Sequence, residues 1–154
     1  MEPAQCLSRL QRLCSRAEYC RSDVRRKALR DLEGNEAAAD TVVAALVRER
    51  YVDDARYSRA FAREKASLQG WGPVKIRFQL RGKGIADAVI DAALEEVDAG
   101  SAADKLDRLL LSKARQLEGD PQRRLKLLKF ALGRGYAYDQ VEQALARLKE
   151  GGSR

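Results

Sequence analysis

Histidine is absent from this chain of 154 residues. Its absence removes the Ser-His and Cys-His nucleophile pairs and the common imidazole metal sites. Cysteine is scarce: Cys6, Cys14 and Cys20 are an odd set confined to the first twenty residues, with no CxxC. Their spacings of eight and six residues suit neither a disulfide framework nor a zinc site, so small, buried, reduced thiols on a helix are expected. Only 6% of the chain is aromatic, which leaves Ala, Leu and Val to build the core. No apolar run is long enough to cross a bilayer, and no signal-peptide pattern precedes the first helical segment. A cytoplasmic location is expected.

What the chain does contain is charge and repetition. Apolar residues reach 45% and charged residues 34%, a balance that favours helices over sheets. Aligning Lys27-Ala28, Lys75-Ile76 and Lys126-Leu127 without gaps brings the later positions into register. Val42, Ile90 and Val141 coincide, as do Ala45, Ala93 and Ala144, and Leu46, Leu94 and Leu145. The shifts of 48 and 51 residues match repeats of two or three helices. The expected fold is all-α: three tandem three-helix repeats at about 1–50, 51–99 and 100–150 in an elongated, curved molecule, with a frayed tail at 151–154.

Each repeat reads as three helices. Gln5 to Tyr19 places Leu7, Leu10, Leu13 and Cys14 at helical spacing. Ser22 is the expected N-cap of a second helix ending near Gly34, and Asn35 caps a third. In the middle repeat, Asp53 or Asp54 caps a helix that carries Phe61 and Leu68 and is broken at Gly70-Trp71-Gly72, with Pro73 opening the next. Val74 to Arg81 alternates apolar and polar residues, which alone signals a strand. It aligns with helical segments on both sides, and a lone strand would have no partner, so it reads as helix. That helix would show apolar residues on two opposite faces, Val74/Phe78 and Ile76/Leu80, as if held between two neighbours. In the last repeat Ser101 and Asp104 approximate a capping box, and Asp120-Pro121 looks like an N-cap followed by the first helical residue.

Chemistry is thin along this chain. Asp53-Asp54 and Glu95-Glu96 invite a metal, but adjacent carboxylates on a helix diverge, so capping and surface charge are the expected roles. Gly82-Lys83-Gly84 and Gly133-Arg134-Gly135 are too short for a Walker-type phosphate loop and read as turns. No cofactor or metal is expected.

The basic residues carry more. Net charge is +7 with pI near 9.5, which points to a polyanion or an acidic protein surface. Residues 21–30 hold five bases and one acid, 74–83 four bases and 121–135 five, the last two blocks without an acid. Lys27, Lys75 and Lys126 share one repeat position, and Lys83 matches Arg134. With Arg30, Arg77, Arg81 and Lys129 they form a candidate binding track, suited to a nucleic-acid backbone or a filament of matching period.

Tyr51-Val-Asp-Asp-Ala-Arg-Tyr57, Gly72-Pro-Val-Lys-Ile-Arg-Phe-Gln-Leu80 and Lys83-Gly-Ile85 resemble the core signature of the RecX family, bacterial regulators of the RecA recombinase. Lys129-Phe-Ala-Leu132 with Arg134-Gly-Tyr136 resembles the family's last helix pair, and the stretch from Ala17 to Ser22 fits loosely. The resemblance implies a small, monomeric, non-enzymatic protein. It would bind a RecA–DNA filament and modulate, mainly inhibit, recombination and SOS coprotease activity, touching single- or double-stranded DNA directly or through the filament. An independent helix-turn-helix DNA-binding protein and a metal-dependent nuclease using Asp53 and Asp54 are the competing readings.

Overall fold

The computed structural model describes residues 1–98 and 102–152, and every regular element in them is a helix. In chain order these are α1 (Pro3–Arg16), α2 (Arg21–Asp31), α3 (Glu36–Arg48), α4 (Asp54–Gln69), α5 (Pro73–Gly82), α6 (Asp87–Asp98), α7 (Ala102–Gln116), α8 (Arg123–Gly133) and α9 (Tyr138–Gly152). The strand-like alternation at Val74–Arg81 lies inside α5. The expected cap Ser101 lies outside the described residues, as do Ser153 and Arg154. α9 runs to Gly152, and no proline interrupts it.

Two compact units divide the chain, Met1–Phe61 with Leu80–Ile90, and Ala62–Gln79 with the residues from Asp91 onward. In the first, Leu10, Val24, Ala28, Val42 and Leu46 centre a core contributed by α1, α2 and α3. In the second, Leu106, Leu110, Leu127, Ala131, Val141 and Leu145 do the same for α7, α8 and α9. The register of the sequence is a register of burial. Ala28, Ile76 and Leu127 are all buried, and so are the sets built on Val42, Ala45 and Leu46. Each such large aliphatic side chain contributes roughly 1.5–3 kcal/mol on leaving water, which compensates for the shortage of aromatics.

Helix starts follow local capping chemistry. α2 begins earlier than Ser22 because Cys20 takes the N-cap and Asp23, three residues on, accepts from the Cys20 amide (3.4 Å) in a reciprocal box. Asn35 caps α3 by accepting from Ala38 (3.1 Å). Asp53 caps α4, accepting from Ala55 (2.9 Å) and Arg56 (3.1 Å). α8 starts at Arg123, later than Asp120-Pro121 suggests, because Asp120 folds back on the Gln122 amide (2.8 Å) and makes an intervening turn.

The first turn of α5 is capped by backbone from another helix pair. Gly72 donates to the Arg134 carbonyl (2.7 Å), and the Gly135 carbonyl accepts from Val74 (2.8 Å) and Lys75 (3.4 Å). Donors that a helix N-terminus leaves orphaned are thus satisfied by the α8–α9 turn. Only glycine permits the approach. A Cβ on Gly72 would lie 2.5 Å from the Gly135 oxygen, and one on Gly135, whose φ is 95°, would overlap the Lys75 side chain.

Gly119 (φ 81°) meets nothing within 4 Å, so it isolates the conformational penalty from the steric one. Gly119→Ala should cost about 1–2 kcal/mol for its left-handed backbone, as read by thermal or urea unfolding. Gly135→Ala should cost clearly more and shift the midpoint further. Equal penalties would show that the close approach contributes nothing.

Candidate partner interface

The three aligned lysines are held by the loops that precede their helices. Lys27, half-buried on α2, sets its ammonium 5.3 Å from the centre of the Tyr19 ring. Lys75 on α5 lies 4.5 Å from the Trp71 ring, which Lys65 approaches at 5.0 Å. Lys126 on α8 pairs with Asp120 at 2.5 Å. The physical consequence differs. A ring face orders an ammonium without cancelling its charge, so Lys27 and Lys75 remain full cations. Asp120 neutralises Lys126, and that contact holds the Asp120 carboxyl below its usual range.

The remaining candidates divide by partner. Arg77 pairs with Asp91 (2.6 Å) and Arg81 with Asp87 (2.7 Å), joining α5 to α6. Arg30 and Lys129 are exposed, and no hydrogen bond or ion pair engages either side chain among the described residues. Lys83 and Arg134, aligned in the sequence, each reach a group elsewhere in the chain. Lys83 reaches Asp23 (2.8 Å), whose side chain is 7% exposed. The Arg134 guanidinium donates to the Gln69 carbonyl (3.0 Å) at the end of α4 and stacks 5.3 Å from the Phe130 ring.

Sequence reasoning missed the groups that surround Lys83. Asp23 accepts from Lys83 and the Cys20 amide, with Arg26 at 3.4 Å. Burial pushes the Asp23 carboxyl up, but the Lys83 and Cys20 hydrogen bonds outweigh it and hold the group below its ordinary value. The same bond to Asp23 raises Lys83. Burial raises all three thiols: Cys6 and Cys20 are buried, Cys14 is half-buried, and all are unpaired. The two carboxylates at the start of α4 serve different ends, Asp53 as the cap and Asp54 as acceptor from the Arg21 amide (2.8 Å). No group of three metal-ligating side chains converges among the described residues, and no helix there is long and apolar enough to cross a membrane.

An open groove of about 800 Å³ on the second unit also escaped notice. Leu111, Leu127, Leu145 and Leu148 floor it. Its arginines are largely balanced: Arg124 pairs with Glu142 (2.7 Å) and Arg147 forks onto Asp107 (2.9 and 3.1 Å).

These features define an all-helical protein in which α2, α5 and α8 each carry a lysine held by the loop before it. Residues 53–94 match the family model described as RecX, second three-helix domain. The chain is 35% identical over 143 residues to the regulatory protein RecX of Chromohalobacter salexigens, covering 90% of each chain. It is 31% identical over 144 residues to the regulatory protein RecX of Halorhodospira halophila, covering 90% of this chain and 85% of that one. The crystal structure of RecX from Lactobacillus salivarius, at 21% identity, superposes with a TM-score of 0.84 over 96% of both chains and shows the fold. The chain belongs to the RecX family of regulatory proteins.

Lys83→Met should destabilise the protein by about 1–3 kcal/mol at neutral pH, because it strips a nearly buried carboxylate of its main partner. Asp23 has a depressed native pKa, so its contribution is present above the unfolded carboxylate value near 3.9 and is lost as pH falls through the native value. Denaturant unfolding at several pH values should therefore show the gap between wild type and Lys83→Met closing in acid. A gap that stays constant down to pH 2 would exclude the ion pair as its cause.

Proposed function

We propose that this RecX-family chain is a non-enzymatic, cytoplasmic regulator that binds the RecA recombinase filament through its basic surface and restrains recombination and coprotease activity. Three-helix repeats at about 1–50, 51–99 and 100–150 present that surface. What carries the reading is family membership across nearly the whole chain, joined to the recurrence of cations on α2, α5 and α8. Arg30 and Lys129 lead the contact set because, among the described residues, no carboxylate pairs with either side chain. Lys27 and Lys75 follow, ordered by aromatic rings yet still charged, and Lys126 joins once a partner displaces Asp120. Arg77, Arg81, Lys83 and Arg134 hold the neighbouring helices and turns in place.

Co-sedimentation with RecA filaments on single-stranded DNA, with naked DNA as control, tests the reading. The chain should pellet with filaments and release as salt rises, because each exposed cation contributes a screened attraction. Arg30→Glu with Lys129→Glu should weaken the interaction about tenfold or more at moderate salt while leaving the helical circular dichroism signal intact. Failure of the wild-type chain to pellet with filaments, or equal retention by naked DNA, would overturn the proposal.

A further inference from the structure

Five large apolar side chains of the second unit are exposed around a single joint: Leu68 (79%), Phe78 (73%), Tyr138 (60%), Val74 (53%) and Leu132 (39%). Hydrogen bonds tie the segments that carry them to one another. Leu68 precedes Gln69, whose carbonyl takes the Arg134 guanidinium, and the Val74 amide donates to the Gly135 carbonyl. The Leu132 carbonyl accepts from Gly135 (3.0 Å), Tyr138 opens α9 three residues later, and Phe78 lies one helical turn beyond Val74. Scattered exposed apolar residues are ordinary, but several on segments that meet at one hydrogen-bonded joint mark an interaction site.

The expectation that α5 is held between two neighbours is only half met. Its Ile76/Leu80 face is buried at 1% and 0%, so the fold is served by that face alone. The Val74/Phe78 face has no such use. Position 78 is also informative in register, because Arg30 and Lys129 occupy it in the other two repeats. A track evolved only for phosphates would keep a cation at all three places. Here the middle place holds a phenylalanine beside a valine.

Aromatic anchors close to arginines are the composition of protein–protein hot spots, in which an apolar side chain fills a recess and cations meet its acidic rim. Residues 121–135, which supply α8 and half of the joint, carry five bases and no acid, although Arg124 and Lys126 already meet Glu142 and Asp120. Lys129 carries no intramolecular counter-ion among the described residues. We infer that Val74 and Phe78, flanked by Leu68, Leu132 and Tyr138, are an anchor that docks into an apolar recess rimmed by carboxylates on a protein partner. Taking that partner as the RecA subunit, as distinct from the DNA it coats, rests on the function proposed above. Cations then set encounter and salt dependence, while the anchor sets residence time.

The test compares wild type, Val74→Ser/Phe78→Ser and Phe78→Leu by co-sedimentation with RecA filaments on single-stranded DNA, and by retention on naked single-stranded DNA. Both altered side chains are more than half exposed, so the serine variant should melt within a few degrees of wild type. Its filament affinity should fall about tenfold or more with the salt slope unchanged, since losing an apolar contact releases no ions. Its retention on naked DNA should not change. Phe78→Leu should keep most of the filament affinity, because a recess accepts any apolar filler. Wild-type affinity in the serine variant would overturn the anchor. Loss on naked DNA, or failure of Phe78→Leu to bind, would overturn it in favour of Phe78 stacking on nucleobases. If wild type itself ignores filaments, the partner reading fails. If wild type binds and both variants bind equally well, only the anchor fails.

Discussion

The Gly135 carbonyl, by accepting from the amides of Val74 and Lys75, fixes the start of α5 against the α8–α9 turn, and the contacts of Trp71, Lys75 and Arg134 are built around that junction. The bond is possible because two chain segments touch without side chains between them. Once it is made, Trp71 is confined to a short loop, Lys75 is delivered over its ring and Arg134 reaches the end of α4. A charged surface could have been left to long, freely rotating side chains. Here each of the three aligned lysines is restrained by the loop before its helix, which leaves less conformational entropy to lose in any further contact.

The fold was legible because its core is periodic. Val42, Ile90 and Val141 recur at fixed offsets, and all three are buried; that correspondence also overrode the strand-like alternation of Val74–Arg81. Helix ends were less legible. Cys20 in place of Ser22, and Arg123 in place of Pro121, depend on how a neighbouring carboxylate folds back, and composition does not encode that geometry.

The candidate track was legible as charge, but the intramolecular partners of its cations were not. Nothing local distinguishes Lys83 from Lys27, yet one is bonded to a carboxylate 60 positions away and the other stacks on a ring. Separations of that size are set by how helices pack, so a linear pattern cannot disclose them. The exposure of Phe78 was hidden for the opposite reason. An apolar residue on a helix predicts burial, and only the completed core shows that α5 needed one face and had two.

Trp71 is the only tryptophan in the chain, and two ammonium groups stand over its indole. Its emission depends on the field that those charges exert on the ring. Drawing Lys65 or Lys75 toward an anionic surface changes that field directly. The molecule therefore carries an intrinsic optical probe at the foot of α5, where engagement of the basic surface can be read as light without any attached label.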